Sequence, residues 1–351
     1  MRNHATAVLI PAVLLAALLP AAAGAICVCF PCPDCDLRSA GQINFVVMDR
    51  DAGMIHLVPN IRIVGVAEDF ALVVPTPAEP LINVATAEIW DEAFELTRPV
   101  TLQTTRDGGG LGCGNDGTVA VFAPTEDGAG GFRDDGVDVI GTQKVGAFEA
   151  TLVTSDDPRS LIDWLEENGY PVAGVEEEKL APLTEAGWFF TAMKLDPDKF
   201  TPPDRWDANV DPVMFTYPAA ELEVPLPFLT INRAPQLPMA FFVVDDHRTT
   251  LPGFDVTYAN RVSESEYRAI EEGYDTVAGF LRPGRFLTRL DRTFLSDDEM
   301  RESIRLRSAE NDDEFRRTLG GAALDSWPAA LLVLSGLLMG LERLRRRATR
   351  A

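Results

Sequence analysis

Residues 147–195 carry the most regular succession of strand and helix patterns in the chain. Phe148 and Leu152 belong to a period-two alternation of apolar and polar residues, which is typical of a half-buried strand. Asp157 and Pro158 then occupy the N-cap and first-turn positions that these residue types favour in a helix. The stretch therefore begins as a strand followed by a helix.

The remainder of this stretch predicts a second helix and a returning strand. Gly169 and Pro171 end the first helix, and Leu180 with Leu183 marks a weaker second one. Residues 188–195 (WFFTAMKL) are almost continuously apolar, as in a central strand that is covered on both faces. The pattern indicates an aromatic-rich core, but it names no chemistry.

The other strand and helix patterns predict an α+β fold with a mostly antiparallel mixed sheet and a few packed helices. Strand patterns cover residues 43–48, 55–66, 70–74, 213–217, 222–225 and 239–244. The first two form a hairpin with a turn at 51–53, and the third is expected to continue that sheet until Pro75 ends it. Helical patterns cover residues 86–96, 267–274 and 297–317, the last with the alternating charges of a stalk.

Residues 1–25 have the three parts of a secretory signal peptide. Arg2 precedes an apolar run at residues 7–19, and small residues up to Ala25 offer a cleavage site. Cleavage there would send the body, residues 26–310, across the cytoplasmic membrane. Lipid attachment at Cys27 is a weaker alternative, because no small residue directly precedes that cysteine.

Four cysteines follow the cleavage site within nine residues, and one stands far downstream. They are Cys27, Cys29, Cys32, Cys35 and Cys113. In an exported protein these are disulfide candidates, and the odd count leaves one thiol over. A thiolate metal site is an alternative, although Ser39 stands where an iron–sulfur run would place its fourth ligand.

Residues 327–341 are uncharged and apolar, and residues 342–351 form a basic tail. Fifteen helical residues span about 22 Å, so the helix needs part of residues 322–326 to reach across a hydrocarbon layer of roughly 30 Å. We predict a transmembrane anchor at 327–341, a stalk or linker at 311–326, a cytoplasmic tail at 342–351 and an outward-facing body. The tail also resembles bacterial C-terminal sorting signals, so its removal by a protease is the alternative.

The formal net charge of −23 limits the class of partner. Such a surface repels phosphate backbones and bare anionic lipid, so nucleic acid is not an expected partner. Solubility or a salty habitat explains the charge, and a cation or an envelope protein remains open as a partner.

A glycine- and aspartate-rich insert occupies residues 107–138, and residues 196–212 form the best internal boundary. Three insert glycines, Gly112, Gly114 and Gly117, have dinucleotide-binding spacing, but a strand pattern follows where a helix is required. Calcium binding is the alternative to a solvated loop, through Asp107, Asp116, Asp127, Asp134 or Asp135.

Asp245, Asp246 and His247 are the local group that best suits catalysis. They follow the apolar strand pattern of residues 240–244, and the sequence contains neither H-E-x-x-H nor G-x-S-x-G. An aspartate beside a histidine can orient its ring or share a divalent ion with it. Neighbours on a strand point to opposite faces, however, so a polar strand exit explains the residues equally well. We expect no bound cofactor.

Several segments resemble DUF2330, a bacterial family of unknown function. Residues 61–77 (IRIVGVAEDFALVVPTP), then VGAFEATLV, LIDWLEENGY and WFFTAMKL, and finally residues 286–300, fit that family in order. The resemblance covers roughly residues 27–306 and implies an exported, often membrane-tethered protein without an assigned reaction or catalytic residues. We therefore expect a binding or envelope-interaction module, with a metal-assisted hydrolase using Asp245, Asp246 and His247, or a thiol redox protein, as alternatives.

Overall fold

A computed structural model describes most of residues 27–319. The described residues are 22–23, 27–31, 36–66, 70–101, 132–134, 136–172, 174–196 and 205–319. Most of the predicted signal peptide, the predicted anchor and tail, most of the glycine-rich insert, and Cys32, Cys35 and Cys113 lie outside these residues.

Strands make up most of the regular structure. The strands before the middle of the chain are β1 (Ala22–Ala23), β2 (Val28–Pro31), β3 (Asp36–Asp49), β4 (Met54–Val66), β5 (Phe70–Thr76), β6 (Leu81–Val84), β7 (Val100–Thr101), β8 (Phe132–Asp134), β9 (Val137–Val145) and β10 (Phe148–Ser155). The later strands are β11 (Phe189–Leu195), β12 (Trp206–Asn209), β13 (Val213–Pro218), β14 (Glu221–Val224), β15 (Leu237–Asp245), β16 (Thr249–Thr250), β17 (Asp255–Arg261), β18 (Phe286–Phe294), β19 (Ile304–Arg305), β20 (Arg307–Ser308), β21 (Phe315–Arg316) and β22 (Thr318–Leu319). The helices are α1 (Glu88–Leu96), α2 (Pro158–Glu167), α3 (Glu177–Glu185), α4 (Leu226–Leu229), α5 (Glu264–Gly273) and α6 (Asp275–Ala278), with a 3₁₀ turn at Asp297–Met300.

Two sheets form the framework of the body. The larger has nine strands in the order β21-β17-β18-β15-β3-β4-β13-β6, with β12 paired beside β4. The smaller has six strands in the order β2-β5-β11-β10-β9-β8. Within these two sheets β15 and β3 are parallel, and the other pairs are antiparallel. The predicted α+β class and the mixed, mostly antiparallel sheet are confirmed.

The strand–helix–helix–strand unit predicted at residues 147–195 is present as β10, α2, α3 and β11. The two strands pair antiparallel in the interior of the smaller sheet. The Asp157 carboxylate caps α2 by accepting a hydrogen bond of 2.7 Å from the backbone N–H of Ser160. Gly169 follows the helix at φ +73°, a left-handed conformation that glycine adopts without strain.

β5 departs from its predicted place. The hairpin of β3 and β4 is confirmed, but β5 leaves that sheet and pairs with β2 and β11 in the smaller one. Pro75 does not end the strand, because it lies opposite Phe190 in β11. Its recorded pairing with β2 stops at Val73, so among the described residues Pro75 has a paired strand on one side, which a proline tolerates.

Helices cover the outer face of the larger sheet. α1 buries Ile89 and Trp90 against strand residues that include Phe45 and Phe242, and Val277 of α6 joins the same cluster. The inner face of this sheet belongs to a second cluster that also contains Phe190 and other residues of the smaller sheet and of α2 and α3. A shared core therefore joins the two sheets.

The helix predicted over residues 297–317 is wrong. After the 3₁₀ turn the chain runs as short strands, in which β19 pairs with β14, β20 with β16, β21 with β17 and β22 with β7. Met300 and Leu306 are the residues that this segment buries, and their spacing does not produce a helical face. Strand pairing with the body therefore determines the structure of this segment, rather than the helical charge pattern. The linker limits at 311–326 remain a prediction.

Nothing among the helices of the described residues has both the length and the apolar character needed to span a bilayer. The predicted anchor at 327–341 lies beyond those residues.

Candidate functional site

Asp245 ends β15, and its carboxylate is held by Arg50 and by the backbone N–H of Asp246, which donates a hydrogen bond of 2.8 Å to Oδ1. Its side chain is buried, and its two carboxylate oxygens accept hydrogen bonds of 3.0 and 2.7 Å from Nε and Nη2 of Arg50. Arg50 follows β3 directly, and a third hydrogen bond of 2.6 Å joins its Nη1 to the carbonyl of Ala220. A two-pronged contact of this kind fixes the geometry of both side chains. It joins the adjacent ends of β3 and β15.

Asp246 and His247 point to other partners. Oδ1 of Asp246 lies 3.1 Å from Nε of Arg285, whose Nη2 donates a hydrogen bond of 2.6 Å to the carbonyl of Met48. Nδ1 of His247 lies 2.9 Å from Oδ2 of Asp312. The three neighbouring residues therefore have three separate partners. The structure does not gather them around one point.

Asp312 is the residue that sequence reasoning missed. Its carboxylate accepts hydrogen bonds from the backbone N–H of Arg248 at 3.0 Å and from Nη2 of Arg261 at 2.5 Å, in addition to the contact with His247. The hydrogen bond with His247 and these neighbours lower the pKa of Asp312 below its ordinary value. We call Asp312, His247, Arg248 and Arg261 the C-terminal clasp, because they hold residues 311–314 against the end of the larger sheet.

The contact with Asp312 orients the imidazole of His247, as in a catalytic dyad, but the clasp contributes no nucleophile beside that ring. His247 is exposed over 63% of its side chain. Within the described ranges no three side chains of the His, Cys, Asp and Glu types come together as ligands for a metal ion. His56 belongs to a different contact, with its Nδ1 2.9 Å from Oγ1 of Thr216, and burial lowers its pKa.

Cys27 and Cys29 lie in the core as free thiols. The expected disulfide state is therefore not found at these two positions. Burial raises the pKa of both thiols, so each remains protonated and is a weak nucleophile and metal ligand. Side-chain amides of Gln42 and Asn232 donate hydrogen bonds of 2.7 and 2.9 Å to the two cysteine carbonyls and hold β2 in place.

An open groove of about 470 Å³ lies beside this strand. It is lined by Arg38, Thr230, Asn232, Arg233, Ala234, Pro235 and Asp297. Asn232 is left-handed at φ +56°, a conformation that asparagine tolerates better than most residues. Two backbone hydrogen bonds to β3 fix this segment. The N–H of Ser39 donates to the Asn232 carbonyl at 2.9 Å, and the carbonyl of Ser39 accepts from the N–H of Ala234 at 2.8 Å.

The two arginines of the groove differ in how firmly their side chains are held. Nε of Arg233 lies 2.5 Å from Oδ1 of Asp297, and its Nη1 donates to the carbonyls of Ala234 and Pro235 at 2.9 Å each. Arg38 is looser, because its 3.6 Å contact with Asp36 joins two well-exposed side chains. No local sequence pattern marks this groove, which forms where residues 230–235 cross the start of β3.

The model of a family described as an uncharacterized protein conserved in bacteria (DUF2330) matches residues 20–309. Neither a curated protein nor a solved structure matches the chain.

Proposed function

Because the chain belongs to the DUF2330 family of uncharacterized bacterial proteins, which supplies no activity to transfer, we propose from its own residues that it is an exported, membrane-anchored binding module of the cell envelope. Export is supported by the signal-peptide pattern of residues 1–25, and anchoring by the apolar run of residues 327–341 followed by a basic tail.

The groove beside β2 carries the proposal of a binding role. Its Arg233 is held by Asp297 and two carbonyls, and the backbone around Asn232 is held by Ser39, before any ligand arrives. A surface fixed in this way loses little conformational entropy on binding. Arg38 adds an exposed guanidinium, which suits a carboxylate. The groove therefore fits a polar ligand with a carboxylate group, such as an acidic envelope peptide.

The two catalytic alternatives have weaker support. A metal-assisted hydrolase needs Asp245, Asp246 and His247 to act together, yet each engages its own partner. A thiol redox protein needs accessible thiolates, yet Cys27 and Cys29 are buried and protonated. The binding role requires neither arrangement.

Fractionation of cells that produce the full-length chain tests export and anchoring. We expect a mature N-terminus at Ile26, recovery in the membrane fraction, and digestion of the body by protease added to intact spheroplasts. A matched chain that ends at Leu319, the last described residue, should leave the membrane fraction. Full-length protein found in the cytosol with Met1 intact would contradict the proposal.

Titration with acidic peptides tests the groove in the detergent-solubilised full-length protein. We expect Arg38→Gln to weaken binding about tenfold, since it removes a charge-assisted hydrogen bond. Arg268→Gln, which removes an exposed charge on α5, is the matched control and should bind like the wild type. Equal affinity of both variants would exclude the groove as the binding site.

A further inference from the structure

The described chain ends at the rim of the body. β21 forms the edge of the larger sheet beside β17, and β22 pairs with β7. The backbone N–H of Val100 donates to the carbonyl of Arg317 at 2.9 Å, and the N–H of Arg317 donates to the carbonyl of Thr257 at 3.3 Å. The chain is therefore attached to the body as far as Leu319.

Seven residues, 320–326, separate this point from the predicted anchor at 327–341. Fully extended, they reach about 25 Å at about 3.5 Å per residue. The rim that carries β22 must therefore stand close to the bilayer if the chain is anchored as proposed. The opposite edge of the same sheet, β6, lies seven strand spacings from β21, or about 34 Å at roughly 4.8 Å each.

Two segments of this rim are basic. Residues 96–101 (LTRPVT) and 315–319 (FRRTL) contain three arginines and no acidic residue, although Glu95 and Glu314 directly precede them, in a chain of formal charge −23. Val100 and Phe315 are exposed apolar residues in the same two segments, at 40% and 43%. We call Arg98, Val100, Phe315, Arg316 and Arg317 the exit face.

Arg316 and Arg98 of the exit face make different contacts. Nε of Arg316 donates to the carbonyl of Arg98 at 3.2 Å, and its guanidinium lies 5.6 Å from the Tyr258 ring centroid. Arg316 thus holds β21 against the end of α1. Arg98 extends outward with 70% of its side chain exposed, in a loose 3.3 Å pair with Glu95.

We infer that the exit face rests on the outer surface of the membrane, with Val100 and Phe315 among the lipid head groups and Arg98 beside lipid phosphates. The partner is a phospholipid surface that includes anionic lipid. Exposed aromatic and apolar groups flanked by arginines favour the bilayer interface, while the acidic remainder of the body is repelled from it. The inference rests on the proposed anchoring.

Quenching by brominated lipids tests this placement in the full-length protein. The vesicles contain phosphatidylcholine and phosphatidylglycerol brominated near the head-group end of the acyl chain. We compare Phe315→Trp with Leu81→Trp, an exposed apolar position on the opposite edge strand of the same sheet. After subtraction of the wild-type signal, we expect quenching at position 315 to exceed that at 81 at least threefold.

Flotation of the same vesicles separates the two proposals. Vesicles that carry the protein but show equal quenching at both positions would overturn the exit face and leave anchoring intact. Full-length protein that does not float with the vesicles would overturn the anchoring, and the exit face with it. Circular dichroism of both variants must match the wild type, so that unequal quenching reports position.

Discussion

At the scale of single residues, the pairing of Asp245 with Arg50 shows how a candidate catalytic carboxylate becomes structural. The Asp245 side chain is 2% exposed, whereas that of Arg50 is 36% exposed. Removal of the arginine therefore harms the fold more than the pair itself helps it, because a buried carboxylate would lose its counter-charge. This asymmetry can be measured.

We expect Arg50→Met to lower the free energy of unfolding by about 3 kcal/mol, because the carboxylate stays buried and unpaired. The double variant Arg50→Met with Asp245→Leu should recover most of that loss, since no unpaired charge remains. Urea titrations measure both. Equal stability of the single and double variants would show that Asp245 is not the source of the cost.

Cys27 and Cys29 give a second residue-scale prediction. Their burial raises the pKa of both thiols, so iodoacetamide near pH 8 should leave them unmodified in the folded protein and modify them after denaturation. Mass spectrometry of peptides reads the difference. Rapid modification of either thiol in the folded protein would mean that β2 opens readily.

At the scale of elements, predictability follows the range of the interactions. The unit of β10, α2, α3 and β11 could be predicted from the sequence because local residues specify it, namely Asp157 at the N-cap of α2 and Gly169 at its end. The sheet change of β5 and the strands after Met300 depend on partners elsewhere in the chain, so local patterns could not specify them. The candidate site was harder still, since Arg50 meets Asp245 from 195 positions away.

The C-terminal clasp should respond to acid. The pKa of Asp312 is lowered in the folded state, so its stabilising contribution is present above the unfolded value of about 3.9 and is lost as the pH falls below it. We therefore expect the hydrogen-exchange protection factors of residues 311–317, which are corrected for the intrinsic effect of pH on exchange, to fall below about pH 4 in the wild type. Asp312→Asn should already have low protection factors at neutral pH, with little further change on acidification. A wild-type segment unaffected by acid would contradict this role.

At the scale of the whole molecule, the inner core joins both sheets and bears on the boundary predicted at residues 196–212. Phe190 of the smaller sheet and Phe215 of the larger one are both fully buried in one cluster. If the sheets unfold together, Phe190→Ala and Phe215→Ala should each cost about 3–5 kcal/mol and shift one shared transition. Tryptophan fluorescence and circular dichroism should then give coincident midpoints. Separate midpoints for the two probes would divide the body into two domains.

The parallel pairing of β3 with β15 has a consequence for how the chain assembles. If the chain is exported as proposed, it emerges from its N-terminus, so β3 and β4 would cross the membrane long before β15. Until then one side of β3 offers unpaired backbone groups to any neighbouring strand. Contacts this distant in sequence also slow folding, because a long loop must close before they form. The newly secreted protein should therefore need the protection of a chaperone beyond the membrane until β15 has arrived.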